Sequence, residues 1–204
     1  MLVFKAFSAL LSYPTPELRE ALPEIAALIR ATPLVAAAER DALLALVAEI
    51  GRGELLEAEE RYVALFDHSR ALSLHLFEHL YGESRERGEA MAALRRLYER
   101  AGLTLRGREL PDFLPVVLEY LSCRPPAEAR QLLAECAPIL ARLARALMAR
   151  RSAYAAVPQA LLVIAGAAPI AAATVPPAAE RPEILDRDWA EPPAFAAAAP
   201  ARAE

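Results

Sequence analysis

Apolar residues recur at helical spacing along most of the chain, the pattern of helices that each bury one face. Repeated β-branched alternation and paired-turn signals are missing, so the pattern predicts an all-α fold. A first short helix is expected from Val3 to Leu11, stopping near Tyr13-Pro14. A second follows Pro16 from Glu17 to Ile29, with Leu18, Leu22, Ile25, Ala26 and Ile29 as its stripe. Thr32-Pro33 reads as a cap with proline at the first helical position, restarting the chain toward Ile50, and Gly51 and Gly53 close that helix. From Glu54 to Phe66 the apolar face is Leu55, Ala58, Tyr62, Leu65 and Phe66, and a short helix around Ser73 to Tyr81 follows the break at Asp67 and Ser69.

Gly82 then suits a left-handed helix end and Ser84 a cap for a helix reaching Ala101, whose inward residues are Ala90, Met91, Leu94, Leu97, Tyr98 and Ala101. Gly88 inside it suggests a close backbone approach. The clearest stripe is Leu110, Phe113, Leu114, Val117, Leu118 and Leu121, a helix that Pro115 does not break if Asp112 is its cap. A long segment runs from Pro125-Pro126 to Arg151 with Leu132, Leu133, Leu140, Leu143 and Leu147 inside, and Pro138 predicts a kink or break near residues 134–137. A last helix covers Tyr154 to Ala165.

Composition adds a boundary. Residues 1–168 are expected to form one helical domain, and 169–204 a proline- and alanine-rich tail with too few large apolar residues to offset the entropy of ordering it. Its patch at 185–195, with Leu185, Trp189 and Phe195, could dock on the chain's own body or on a partner. Glycine is scarce, seven in 204 residues, and none forms a phosphate-cradling loop. The formal charge of −4 disfavours a general nucleic-acid binder. Cys123 and Cys136 form no CxxC, which suggests a reducing compartment, and no apolar run is long enough to span a bilayer. The expectation is a cytoplasmic protein with no membrane insertion.

Candidate chemistry is sparse. His75 and His79, four apart on the expected helix, could share a metal ion, which supports an alternative reading as a metal-dependent regulatory or accessory module. The motif is not HExxH, and His68 is the only other histidine. No serine sits in a nucleophile elbow and neither cysteine has a histidine nearby in sequence, so no enzymatic activity is expected. Glu78, His79, Glu83, Ser84, Arg85, Glu86 and Arg87 crowd one interhelical turn. Such a turn can either present binding groups to a partner or satisfy itself and set the helix angle.

The run from Leu65 to Met91, LFDHSRALSLHLFEHLYGESRERGEAM, and the run from Glu109 to Leu121, ELPDFLPVVLEYL, resemble in sequence and order the two signature segments of the NarJ family of nitrate reductase assembly chaperones. Leu10-Leu11-Ser12-Tyr13-Pro14 is similar as well. The resemblance implies a non-catalytic, all-helical domain of the TorD/DmsD-like chaperone type. It implies a partner, the apo catalytic (alpha) subunit of respiratory nitrate reductase and its N-terminal segment. That partner would be held for molybdenum cofactor insertion and iron–sulfur maturation before membrane attachment. Contact with molybdenum cofactor delivery proteins is a further expectation, and no resident cofactor or metal is implied. The residues implied as client-binding are Asp67, Arg70, His75, Glu78, His79, Glu83, Ser84, Arg85, Arg87, Glu109, Asp112 and Glu119, with Leu76, Phe77, Leu80, Leu114, Leu118 and Leu121 as core. Position 113 is Phe where the family often has His, which implies an apolar or structural contact there.

Overall fold

The computed structural model describes residues 1–67, 69–81, 85–105 and 109–176. Among them the regular elements are helical: α1 (Leu2–Leu10), α2 (Pro16–Ala31), α3 (Ala37–Ile50), α4 (Leu55–Phe66), α5 (Glu78–Tyr81), α6 (Arg85–Arg100), α7 (Leu114–Ser122), α8 (Pro126–Ala149) and α9 (Ala156–Ile164), with short 3-10 turns at Arg70–Leu72, Ala153–Ala155 and Ala172–Thr174. Helix α1 packs along α7, α2 lies against α1 and α3, α3 reaches α9, and α9 runs along α8.

The core follows from the stripes. Phe4, Phe7, Leu10 and Leu11 of the α1 region are fully buried, as are Leu118 and Leu121 of α7. Within this apolar contact the Ser8 hydroxyl donates to the Pro115 carbonyl at 2.9 Å, so the buried hydroxyl is satisfied and α1 is tied to the start of α7. Thr15 caps α2 through its hydroxyl, which accepts from the Leu18 N–H, and Pro16 sits at the first turn where no intrahelical bond is lost. All five expected stripe residues of α2 are buried.

Four local expectations are corrected. Thr32 ends α2 rather than starting the next helix: its N–H bonds to the Leu28 carbonyl, its hydroxyl accepts from Leu34, and α3 begins only at Ala37. Arg40 holds this link by donating to the carbonyls of Thr32 and Val35. Of the kink or break expected at Pro138, the break is absent: α8 runs continuously from Pro126 to Ala149. Both Pro138 and Ala134 are exposed, so the carbonyl that loses its partner faces water, while Leu133, Leu140, Leu143 and Leu147 stay buried on the other face. Gly88 has nothing within 4 Å of where a Cβ would stand, so no close approach requires it. As expected for α6, Tyr98 is buried and Leu94, Leu97 and Ala101 pack half-buried against the core, with Ala90 and Met91 half-buried as well.

Candidate functional site

The fourth correction places the site. Residues 73–77 are not helical: they cross residues 112–114 through a single antiparallel bridge between His75 and Phe113, and residues 76–77 then turn into α5. The Leu114 N–H donates to the Leu74 carbonyl at 2.8 Å and the Leu76 N–H to the Asp112 carbonyl at 3.0 Å. The Asp112 side chain is completely buried, and instead of capping α7 it serves this crossing: one oxygen accepts from the Phe77 N–H at 3.0 Å, the other lies 3.2 Å from His75 Nδ1. Phe113, not Asp112, occupies the N-cap position of α7. Pro111 disfavours helical backbone at Leu110 just before it, and Pro115 sits in the first turn of α7, where no intrahelical bond is lost. From the other side Tyr98 donates its hydroxyl to the Pro111 carbonyl at 2.8 Å, so the 110–113 loop is clamped between α6 and the 73–77 segment.

This crossing forms one wall of a cleft of about 610 Å³. Its opposite wall is the end of α4 and the turn after α1. Tyr62, Phe66 and Tyr13 form an aromatic cluster, with ring centroids 4.8 Å apart for Tyr62 and Phe66 and 5.6 Å for Tyr13 and Tyr62. Leu74, Phe113, Pro115 and Val116 continue the apolar lining, Ser12 and Ser73 add hydroxyls, and Asp67, Glu109 and Glu119 stand as exposed carboxylates. The Tyr62 hydroxyl donates to the Leu11 carbonyl at 2.9 Å. Burial first, then the charges of Asp67 and Glu109 among others, push its pKa far upward, so it stays a protonated donor. Desolvation, then the charges of Glu59 and Asp67, push the Tyr13 pKa up as well. The chain thus surrounds an aromatic floor with negative potential.

His75 is held above its ordinary pKa of 6.5, chiefly by its hydrogen bond to Asp112 and against the opposing effect of burial. A group whose folded pKa is raised contributes stability that is fully present below its unfolded pKa and is lost as pH rises through the folded value. Unfolding free energy measured by urea titration is therefore expected to fall between about pH 6.5 and the higher folded pKa of His75, and His75→Gln is expected to lose that component. An unchanged slope in the variant would count against this coupling.

Of the residues expected to bind a client, Asp67, His75, Glu109 and Glu119 are brought together in the cleft, and Asp112 is buried behind its wall. The others lie elsewhere. Arg70 is exposed on the 3-10 turn, Arg85 is exposed at the start of α6, and Glu78 pairs with Arg87 at 3.4 Å, which favours the self-satisfied reading of that turn for this pair. Glu83 and Ser84 lie outside the described residues, as do the expected caps at 82–84 and the tail from 177 on. His79 Nε2 lies 2.8 Å from the Ser73 carbonyl. Because α5 begins only at Glu78, His75 and His79 do not share a helical face, and each imidazole has a protein partner. Among the described residues no group of three or more His, Cys, Asp and Glu side chains is placed to hold a metal. Leu80, expected in the core, is 57% exposed, whereas Leu76, Leu114, Leu118 and Leu121 are buried as expected and Phe77 is half-buried.

Sequence reasoning missed the aromatic floor. Tyr62 and Phe66 were recognisable as an apolar pair four apart but read only as core, and Tyr13 only as a helix stop. Asp67 has a further signature. It sits at the C-cap of α4, where the helix dipole disfavours a negative charge by about 0.3–1 kcal/mol. Asp67→Asn is expected to leave the fold as stable or slightly more stable in thermal melts while weakening cationic ligands of the cleft; a destabilised variant would argue that the carboxylate has a structural role instead.

Residues 14–157 match the family described as nitrate reductase delta subunit. The chain is 43% identical over 161 residues to the nitrate reductase molybdenum cofactor assembly chaperone NarJ of Escherichia coli (strain K12), an alignment covering 79% of this chain and 68% of that protein. It is 40% identical over 168 residues to the probable nitrate reductase molybdenum cofactor assembly chaperone NarW of the same strain, covering 81% and 69%. A probable NarJ of Bacillus subtilis (strain 168) is 32% identical over 154 residues, covering 76% and 83%. With the family match spanning most of the chain and relatives 40–43% identical over more than two thirds of their own length, this chain belongs to the nitrate reductase delta subunit family.

Proposed function

We propose that this protein is a non-catalytic assembly chaperone for a nitrate reductase, and that its client is the apo catalytic subunit, held by its N-terminal segment in the cleft between α4 and α7. The family assignment supports the chaperone role. The observation that carries the finer reading is the pairing of an aromatic floor, Tyr13, Tyr62 and Phe66, with the carboxylates Asp67, Glu109 and Glu119. An amphipathic segment with apolar residues on one face and Arg or Lys beside them would place the former on the rings and the latter against the carboxylates. Ordering such a segment costs conformational entropy, which keeps affinity moderate and lets the chaperone leave once the client has its molybdenum cofactor and iron–sulfur centres.

Attachment of a chaperone to the client's terminus would hold back membrane docking until maturation ends. Among the described residues no helix is long and apolar enough to cross a membrane, which suits a chaperone working at the cytoplasmic side before that docking. Isothermal titration of the full chain with the N-terminal peptide of its nitrate reductase catalytic subunit tests the reading. Saturable heat, with affinity lowered by charge reversal in the cleft, is expected; no heat with the peptide would sink direct capture in this cleft.

A further inference from the structure

A second charged surface lies on the C-terminal half of α8. Arg142 and Arg145 are neighbours on that helix and both exposed, and Arg142 donates to the His79 carbonyl at 3.1 Å. Arg150 is exposed as well and reaches Ser69 Oγ at 3.5 Å, beside Arg70 on the 3-10 turn. None of these four arginines pairs with a carboxylate among the described residues, and Glu78, next to His79, is already engaged by Arg87. Leu80, 57% exposed, adds an apolar contact next to His79. The surface is therefore cationic with an apolar spot, the opposite of the cleft.

The end of the described chain lies beside it. After α9 the backbone turns at Gly166, where φ is +83°, and folds back so that Ile170 exchanges two 2.8 Å hydrogen bonds with Gln159. Gln159 also contacts the Met148 sulfur at 3.4 Å, and Met148 is one helical step from Arg145. Beyond Pro176 the sequence from Glu180 to Glu191 carries Glu180, Glu183, Asp186, Asp188 and Glu191 against only Arg181 and Arg187, with Leu185 and Trp189 among them. Trp189 is 13 residues past Pro176, a reach of up to about 40 Å, ample for one face of a domain this size.

We propose that residues 180–191 dock on the α8 face of their own chain, carboxylates against Arg142, Arg145, Arg150 and Arg70 and large apolar side chains over Leu80. Tethering makes the contact intramolecular, so modest pairings suffice to populate it. The docked segment would cover Arg70 and His79, two residues of the signature run that the cleft leaves unused, and would keep this cationic face from other acidic chains.

Trp189 is the only tryptophan, so the emission of the full chain reports this segment alone. At low salt its emission is expected to be blue-shifted and several-fold less quenched by acrylamide than in a synthetic 177–204 peptide. Raising salt from about 0.05 to about 0.5 M should move both readings to the peptide values, because the screening length then falls below the span of the contact. Arg142→Glu/Arg145→Glu, checked for unchanged circular dichroism, should do the same at low salt. Should that variant not fold, Asp186→Lys/Asp188→Lys in the tail must give the same shift. Peptide-like emission from the unmodified chain at low salt overturns the proposal. So does a shielded Trp189 that ignores both salt and charge reversal, or shielding that grows with protein concentration.

Discussion

Asp112→Ala is expected to cost about 3 kcal/mol of folding stability in urea titrations, the largest single effect in the 110–121 segment short of emptying the core. The carboxylate is fully buried and serves two groups from a segment some 35 positions away, the Phe77 N–H and the His75 imidazole. Alanine leaves the N–H without a partner and removes the counter-charge that favours protonated His75. Asp112→Asn separates these roles. The amide oxygen can still accept from Phe77 while the charge is gone, so most of the stability should return but the His75-dependent fall of stability with pH should not. If Asn were as damaging as Ala, the charge itself would be the main contribution. If Ala cost less than about 1 kcal/mol, the crossing of 73–77 over 110–114 would not depend on this residue.

Glu109→Lys/Glu119→Lys is expected to weaken the client peptide by at least about tenfold, roughly 1.4 kcal/mol or more, with little change in melting temperature. Both carboxylates are exposed at the cleft and take part in no ion pair among the described residues, so reversal removes no internal contact. What changes is the sign of the potential over Tyr62 and Phe66. Because the rim is wet, the unmodified protein should lose affinity as salt rises and the variant should lose that dependence. Glu20→Lys/Glu24→Lys, the same charge change on the exposed face of α2, is the control. Equal losses in both variants would mean that net charge, not the cleft, governs capture.

These two outcomes also mark where local reading stops. Asp112 followed by a helical stripe is a sound capping pattern, and on a free helix it would cap. In the folded chain its carboxylate goes to residues 75 and 77, a long-range pairing that no local window contains. His75 and His79 illustrate the same limit: their spacing has meaning only on a helix, and 73–77 is kept out of the helix because the Leu74 carbonyl and the Leu76 and Phe77 N–H groups are taken by residues 112 and 114. Leu80 fits a helical stripe, but α5 is a single turn with no buried residue.

The sequence by itself determined the helices that bury a continuous apolar face. α1, α2, α4, α7 and α9 lie within a few residues of where their periodicity puts them, because burial of a stripe needs no knowledge of the partner. It also carried the family, through two long motifs in order. Only the tertiary structure decided which motif residues share a surface. Asp67, His75, Glu109 and Glu119 come from the end of α4, a single bridge, a loop and the outer face of α7, and they meet over the rings of Tyr13, Tyr62 and Phe66 because α1 packs on α7 and the Asp112 crossing closes the wall. Charge and aromaticity are legible one residue at a time; their convergence depends on contacts between residues far apart in the chain.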